Sequence, residues 1–156
     1  MHKDSVRPAL SSLAFDFFFW FSRFEFALKE NGYLRSQTPG DAAEPGWDAF
    51  VAQWKDGFVL SEEAAYLLAN PPDRQIVGPG GGLDWKPVGL GDCTSDLAKV
   101  ARLLKTARNN LFHGGKHGSA YWDSPKRTAA LLKAGEGVLH QLSALAGFEG
   151  DYLRIY

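Results

Sequence analysis

At 156 residues the chain has the length of one ordinary domain, long enough to bury a core and too short for two comfortable ones. A hydrophobic fraction of 45% with 13% aromatics excludes general disorder. The balance of 17 Lys+Arg against 18 Asp+Glu, a net charge of −1, argues against a polyanion binder that works through its overall field, so any nucleic acid must be held by a local patch.

The lone cysteine, Cys93, closes no internal disulfide, and no Cys/His spacing suited to zinc occurs. No metal and no cofactor are expected. The most apolar run, AFDFFFWF at 14–21, contains Asp16 and reaches about half of the roughly 20 residues that a membrane span needs. The N-terminus lacks the pattern of a secretory signal. No membrane partner and a cytoplasmic location are the expectations.

Along 8–33 apolar residues recur so densely that a helix here is expected to be buried on more than one side. Pro8 and Gly32 mark its ends. Its excess aromatics either fill the core or complete a subunit interface. A Pro/Gly/Asp connector at 37–46 leads to a short helical segment at 47–54. Ser61 then offers an N-cap, with Glu62 and Glu63 in the first turn of a helix that must end by Asn70, before Pro71 and Pro72.

Residues 70–92, rich in Pro and Gly, have no helical period and read as a long ordered loop that could carry a short hairpin around Ile76 and Trp85. Its GPGGG invites a phosphate-loop reading, but no GK[ST] follows. Thr94 or Ser95 caps the next helix, which runs to His113 and is stopped by Gly114 and Gly115. Ser124 and Pro125 open the last helix, which ends near Gly147. DYLRIY at the C-terminus reads as a small strand or an extended tail. The expectation is a single all-α domain over 1–156, a bundle of four to five helices decorated by the 70–92 loop.

The stretch ARNNLFHGGKH at 107–117 departs from generic packing. At about 100° per residue, the face opposite the leucines collects Lys99, Arg102, Lys105, Asn109 and His113. Arg108 borders the apolar face, roughly 140° from His113 by the same geometry, so one helix alone does not pair the two. A histidine is the side chain that titrates nearest neutrality, and a helix C-terminus favours its charged form. Arg108 brings a fork of donors matched to phosphate oxygens, Asn109 and Asn110 bring orienting hydrogen bonds, and Lys105 and Lys116 add positive potential. An acid/base beside a phosphate-binding cation is the minimum equipment for cleaving RNA through its 2′-OH. The plainer alternative is a helix end whose histidine and asparagines cap carbonyls.

RNNLFH, 108–113, matches the arginine, polar residue and histidine motif (R-x4–6-H) of the HEPN superfamily, and RFEFALKENGYL at 23–34 resembles the first long helix of one bacterial group of that superfamily. Both fall in the expected order, and the resemblance covers most of the chain. It implies a HEPN-like bundle that dimerises so that two copies of the motif face one another, and a metal-independent endoribonuclease in a toxin, defence or RNA-processing setting. Arg108 and His113 would be the catalytic pair. Asn109 would support them, with Asn110 beside it. Lys105, Lys116, His117 and Arg23 are candidate RNA contacts, His117 equally a plain loop histidine, and Glu25 could reach the same cleft. RNA, a second copy of the chain, and an antitoxin or nucleotidyltransferase are the implied partners. Two other readings stand beside this one: a non-catalytic HEPN module that binds a nucleotide, RNA or a protein, and an interaction protein built around the aromatic first helix.

Overall fold

Helix-forming segments alternate with punctuation that is tertiary as much as local. The structure, a computed structural model, describes residues 8–112 and 125–154. In chain order these form α1 (Pro8–Glu30), α2 (Trp47–Trp54), α3 (Glu62–Ala69), β1 (Asp73–Val77), β2 (Leu83–Pro87), α4 (Asp96–Phe112), α5 (Pro125–Ala146) and α6 (Glu149–Tyr152). The expectation of a helical domain holds in its coarse form, a mostly helical fold, and the all-α description is corrected only by one small antiparallel sheet, the hairpin expected around Ile76 and Trp85. Within the 70–92 segment Gln75 pairs with Trp85 and Val77 with Leu83, and a glycine-rich turn joins the strands. The DYLRIY expectation is corrected too, since Asp151 and Tyr152 belong to a short helix. None of the helices in the described residues is long and apolar enough to cross a membrane.

The boundaries have visible causes. The hydroxyls of Ser61 and Ser95 accept from the backbone N–H groups of Ala64 and Ala98, 3.2 and 3.1 Å away, satisfying donors that a helix start leaves unpaired. Gly32 and Gly147 stop α1 and α5 at positive φ, 78° and 68°. Tyr33 and Phe148 then donate back to Leu28 and Ser143 at 2.9 Å, the six-to-one closure of a helix C-terminus.

α1 and α5 form the principal pair of the bundle, with α3 and α6 packed on them and α4 resting on α2 and α3. The α1–α5 approach depends on Gly135, because a Cβ there would stand 2.5 Å from the buried Phe17 ring. Phe24 is the hub of an aromatic core, its ring 5.1 Å from Trp47, 5.3 Å from Phe50 and 6.2 Å from Phe148. Such pairs add about 0.5–1.5 kcal/mol each beyond their area burial. Tyr152 closes the same cluster with a buried hydroxyl that meets no hydrogen-bond partner among the described residues. Burial raises its pKa above the ordinary tyrosine value.

α1 is not buried all round. Leu10, Phe17, Phe21, Phe24, Ala27 and Leu28 face the core, whereas Phe15, Phe18 and Phe19 remain 64%, 37% and 42% exposed. At 3.6 residues per turn these three share the opposite side. The excess aromatics of the sequence thus divide between a core face and a solvent face.

Candidate functional site

α4 supplies the first wall. Leu97, Val100, Leu103, Leu104 and Ala107 bury its apolar stripe, which turns the residues beyond that stripe towards α1 and α2. The cations of this helix meet different fates. Lys99 pairs with Asp96 one turn back at 2.9 Å. Arg102 forms a two-pronged pair with Asp92, 2.5 and 2.8 Å, and donates to the carbonyl of Gly89 at 2.7 Å. It thereby ties the end of the 70–92 segment to the helix. Its guanidinium holds the Asp92 carboxyl well below the usual range, at about 2.

Lys105 and Arg108, the next two cations, meet no carboxylate among the described residues. Lys105 Nζ lies 6.0 Å from the centre of the Trp47 ring. The Arg108 guanidinium lies 5.7 Å from the centre of Phe21 and 5.1 Å from that of Phe112, an aromatic setting that attracts a cation without using its N–H donors. Arg108 Nη1 donates to Asn109 Oδ1 at 3.0 Å, so the polar residue after the arginine steadies its fork. Phe112 in turn packs against Phe18 at 4.8 Å. Arg108 stands between the core and the exposed aromatic face of α1.

Lys105, Arg108 and Asn109 line a cavity of about 640 Å³. Glu25 from α1 and Trp47 and Asp48 from the start of α2 line the same cavity. Trp47 Nε1 donates to Glu25 Oε1 at 3.0 Å, which fixes the carboxylate. Arg35 and Glu44 form an exposed ion pair at the rim, 2.7 Å apart, and that bond raises the Arg35 pKa. The wall is held close by backbone. Gly46 donates to Tyr33 at 2.8 Å, Leu34 and Pro45 form an isolated bridge, and a Cβ on Gly46 would stand 2.8 Å from the Leu34 backbone. Only glycine fits there without moving a cavity wall.

Lys105, Arg108 and Asn109 are thus brought to one site, and Glu25 reaches it. Asn110 is turned elsewhere, donating to the carbonyl of Asp73 at 2.7 Å and pinning β1 to α4. Arg23, a candidate RNA contact, also points away. It donates to the carbonyl oxygens of Tyr152 and Arg154 at 3.1 and 3.2 Å, and to that of Asp151, closing the C-terminal end of α6. His113, Lys116 and His117 lie outside the described residues. Trp47 and Asp48 escape sequence reasoning: an acidic residue in a first helical turn has a sufficient local explanation in the helix dipole, and nothing in the chain pattern shows that it faces α4. Among the described residues no group of His, Cys, Asp and Glu could hold a metal ion.

In comparison with known proteins, no family model, curated protein or solved structure matches the chain.

Proposed function

We propose that the chain is an endoribonuclease of HEPN type that cleaves RNA through the 2′-OH without a metal, at a site completed by a second copy of itself. The observation that carries this reading is Arg108: half-buried, its guanidinium 5.7 and 5.1 Å from the ring centres of Phe21 and Phe112, free of any carboxylate among the described residues, and set beside Lys105 on a cavity wall. A guanidinium so placed has its fork available for a phosphate. The reaction asks for little more. A base takes the 2′-hydroxyl proton, O2′ attacks phosphorus, and the bond from phosphorus to O5′ breaks as that oxygen takes a proton, leaving a 2′,3′-cyclic phosphate and a 5′-hydroxyl. His113 is the proton carrier of this scheme, and Arg108 stabilises the charge that develops on the phosphoryl oxygens.

The exposed Phe15, Phe18 and Phe19, continuous through Phe112 with Arg108, support pairing with a second copy, since contiguous apolar patches mark interaction surfaces. An isologous contact on this face would bring two Arg108–His113 motifs together, as the resemblance implies. A toxin or defence role, with an antitoxin or nucleotidyltransferase as partner, rests on the resemblance alone.

The test is cleavage of a mixed-sequence labelled RNA in excess EDTA by the wild type and by His113→Ala, with the product ends identified. Cyclic or 3′-phosphate ends, lost in a variant that stays folded and dimeric, are expected. Equal activity of the two proteins would sink the assignment of His113. One observation favours a second reading, a non-catalytic module: Glu25, Glu44 and Asp48 share the cavity with the cations, which weakens attraction of a long polyanion. Under that reading RNA or a nucleotide binds and neither protein cleaves.

A further inference from the structure

The cavity carries two unlike sets of groups, and a ribonuclease needs only one of them. Lys105 and Arg108 suit a phosphate, but Glu25 and Asp48 would repel it. Their presence in the same cavity is accounted for by a ligand that is anionic at one end and rich in hydrogen-bond donors at the other. Glu25 is the better defined of the two carboxylates. It is half-buried, whereas Asp48 is exposed, and the indole N–H of Trp47 anchors its Oε1 at 3.0 Å. A carboxylate accepts only, and each of its oxygens takes more than one hydrogen bond, so a Glu25 held by Trp47 still presents two acceptors to the cavity.

Among the RNA bases, guanine alone places two donors side by side on its pairing edge, N1–H and the N2 amino group. Adenine, cytosine and uracil each turn a lone pair towards a carboxylate set against that edge. Unstacked RNA bases are commonly read on this edge, and a site built for donors rejects ligands that leave its acceptors unmet. The volume of about 640 Å³ falls within the roughly 300–1,000 Å³ usual for small-ligand sites. From these features we infer that the cavity holds a guanine nucleotide of the RNA, its base read by Glu25 and its 3′-phosphate held by Arg108 and Lys105. This inference deepens the ribonuclease reading, on which the role of the phosphate rests, and makes the enzyme selective for the nucleotide on the 5′ side of the broken bond.

The test is calorimetric titration of the wild type and of Glu25→Gln with the 3′-monophosphates of guanosine, adenosine, cytidine and uridine. Glutamine keeps an oxygen for the Trp47 indole and presents an amide in place of one acceptor, so the fold and the cavity wall are retained. Guanosine 3′-monophosphate is expected to bind the wild type at least about tenfold tighter than the other three, a difference of about 1.4 kcal/mol. Glu25→Gln is expected to lose that preference while still binding uridine 3′-monophosphate. Equal binding of all four nucleotides by the wild type, or no binding of any, would overturn the inference, as would a preference that survives in Glu25→Gln. Selective guanine binding by a protein that cleaves no RNA would support the inference and remove the catalytic reading alone, so the two failures are distinguishable.

Discussion

Arg102 and Arg108 sit six residues apart on the same helix and differ in almost everything except their side chain. Arg102 spends its fork on both oxygens of Asp92 and on the carbonyl of Gly89; Arg108 rests on the rings of Phe21 and Phe112 and gives a hydrogen bond to its neighbour Asn109. The first is satisfied by its own chain and serves the fold, fastening the 70–92 segment. The second is supported by apolar surface, which fixes its position without consuming its donors. An arginine is informative about function through what it leaves unpaired, and the residue type alone does not reveal that.

The largest effect on this contrast is expected from the aromatic surface beside Arg108. The double substitution Phe15→Ser and Phe19→Ser removes two exposed rings without entering the core. It should turn a dimer into a monomer in sedimentation velocity and reduce RNA cleavage to the level of His113→Ala. A wild type that is itself monomeric would remove the composite site from the account. Smaller, and aimed at the cavity rather than the interface, is Gly46→Ala. Its Cβ would press on the Leu34 backbone, with a cost of about 1–3 kcal/mol in chemical denaturation and weaker nucleotide binding. Gly135→Ala should cost a similar amount, because Phe17 cannot retreat, yet leave nucleotide binding intact in the folded fraction. Equal loss of binding in both variants would mean that the cavity is no more than a product of global stability.

The smallest effect belongs to the satisfied arginine. The Asp92 pKa is lowered to about 2 by Arg102, so this pair stabilises the fold above the ordinary carboxylate range near pH 4. The contribution fades as pH falls through the lowered value. Because the pair is exposed, the gain is small and screened by salt. Acid-unfolding curves of wild type and Asp92→Asn should differ slightly near neutrality and converge below about pH 2. A gap that widens on acidification would contradict the assignment.

Most of the helices were legible because their causes are local. Pro8, Ser61, Ser95 and Pro125 open helices where the sequence places them, and Gly32 and Gly147 close two. The leucine stripe of α4 appears at its expected period. The short α6 was not legible, since EGDY has too few residues to show a period and its C-terminal carbonyls are met by Arg23 from the other end of the chain. For the same reason Arg23 could be placed among RNA contacts on sequence grounds: no local pattern reveals a partner 129 residues away. The dense apolar character of α1 announced a buried helix but not which rings remain outside, because that depends on which neighbours arrive.

For the candidate site, Lys105, Arg108 and Asn109 could be found from helix geometry and motif. The α2 part of the cavity could not. Trp47 and Asp48 are brought to the cavity by the backbone bridge between Leu34 and Pro45, the close passage of Gly46 and the packing of Trp47 on Phe24, contacts that no periodicity encodes.

The most direct measurement is single-turnover cleavage of labelled RNA in EDTA by Arg108→Ala and Arg102→Ala beside the wild type, with fold and dimer state checked for each. The account predicts a loss of about 10²–10³-fold for Arg108→Ala, the size seen when one donor to a developing oxyanion is removed, and unchanged cleavage for Arg102→Ala. Equal rates for all three proteins, or a loss confined to Arg102→Ala, would contradict the assignment of Arg108 to the phosphate.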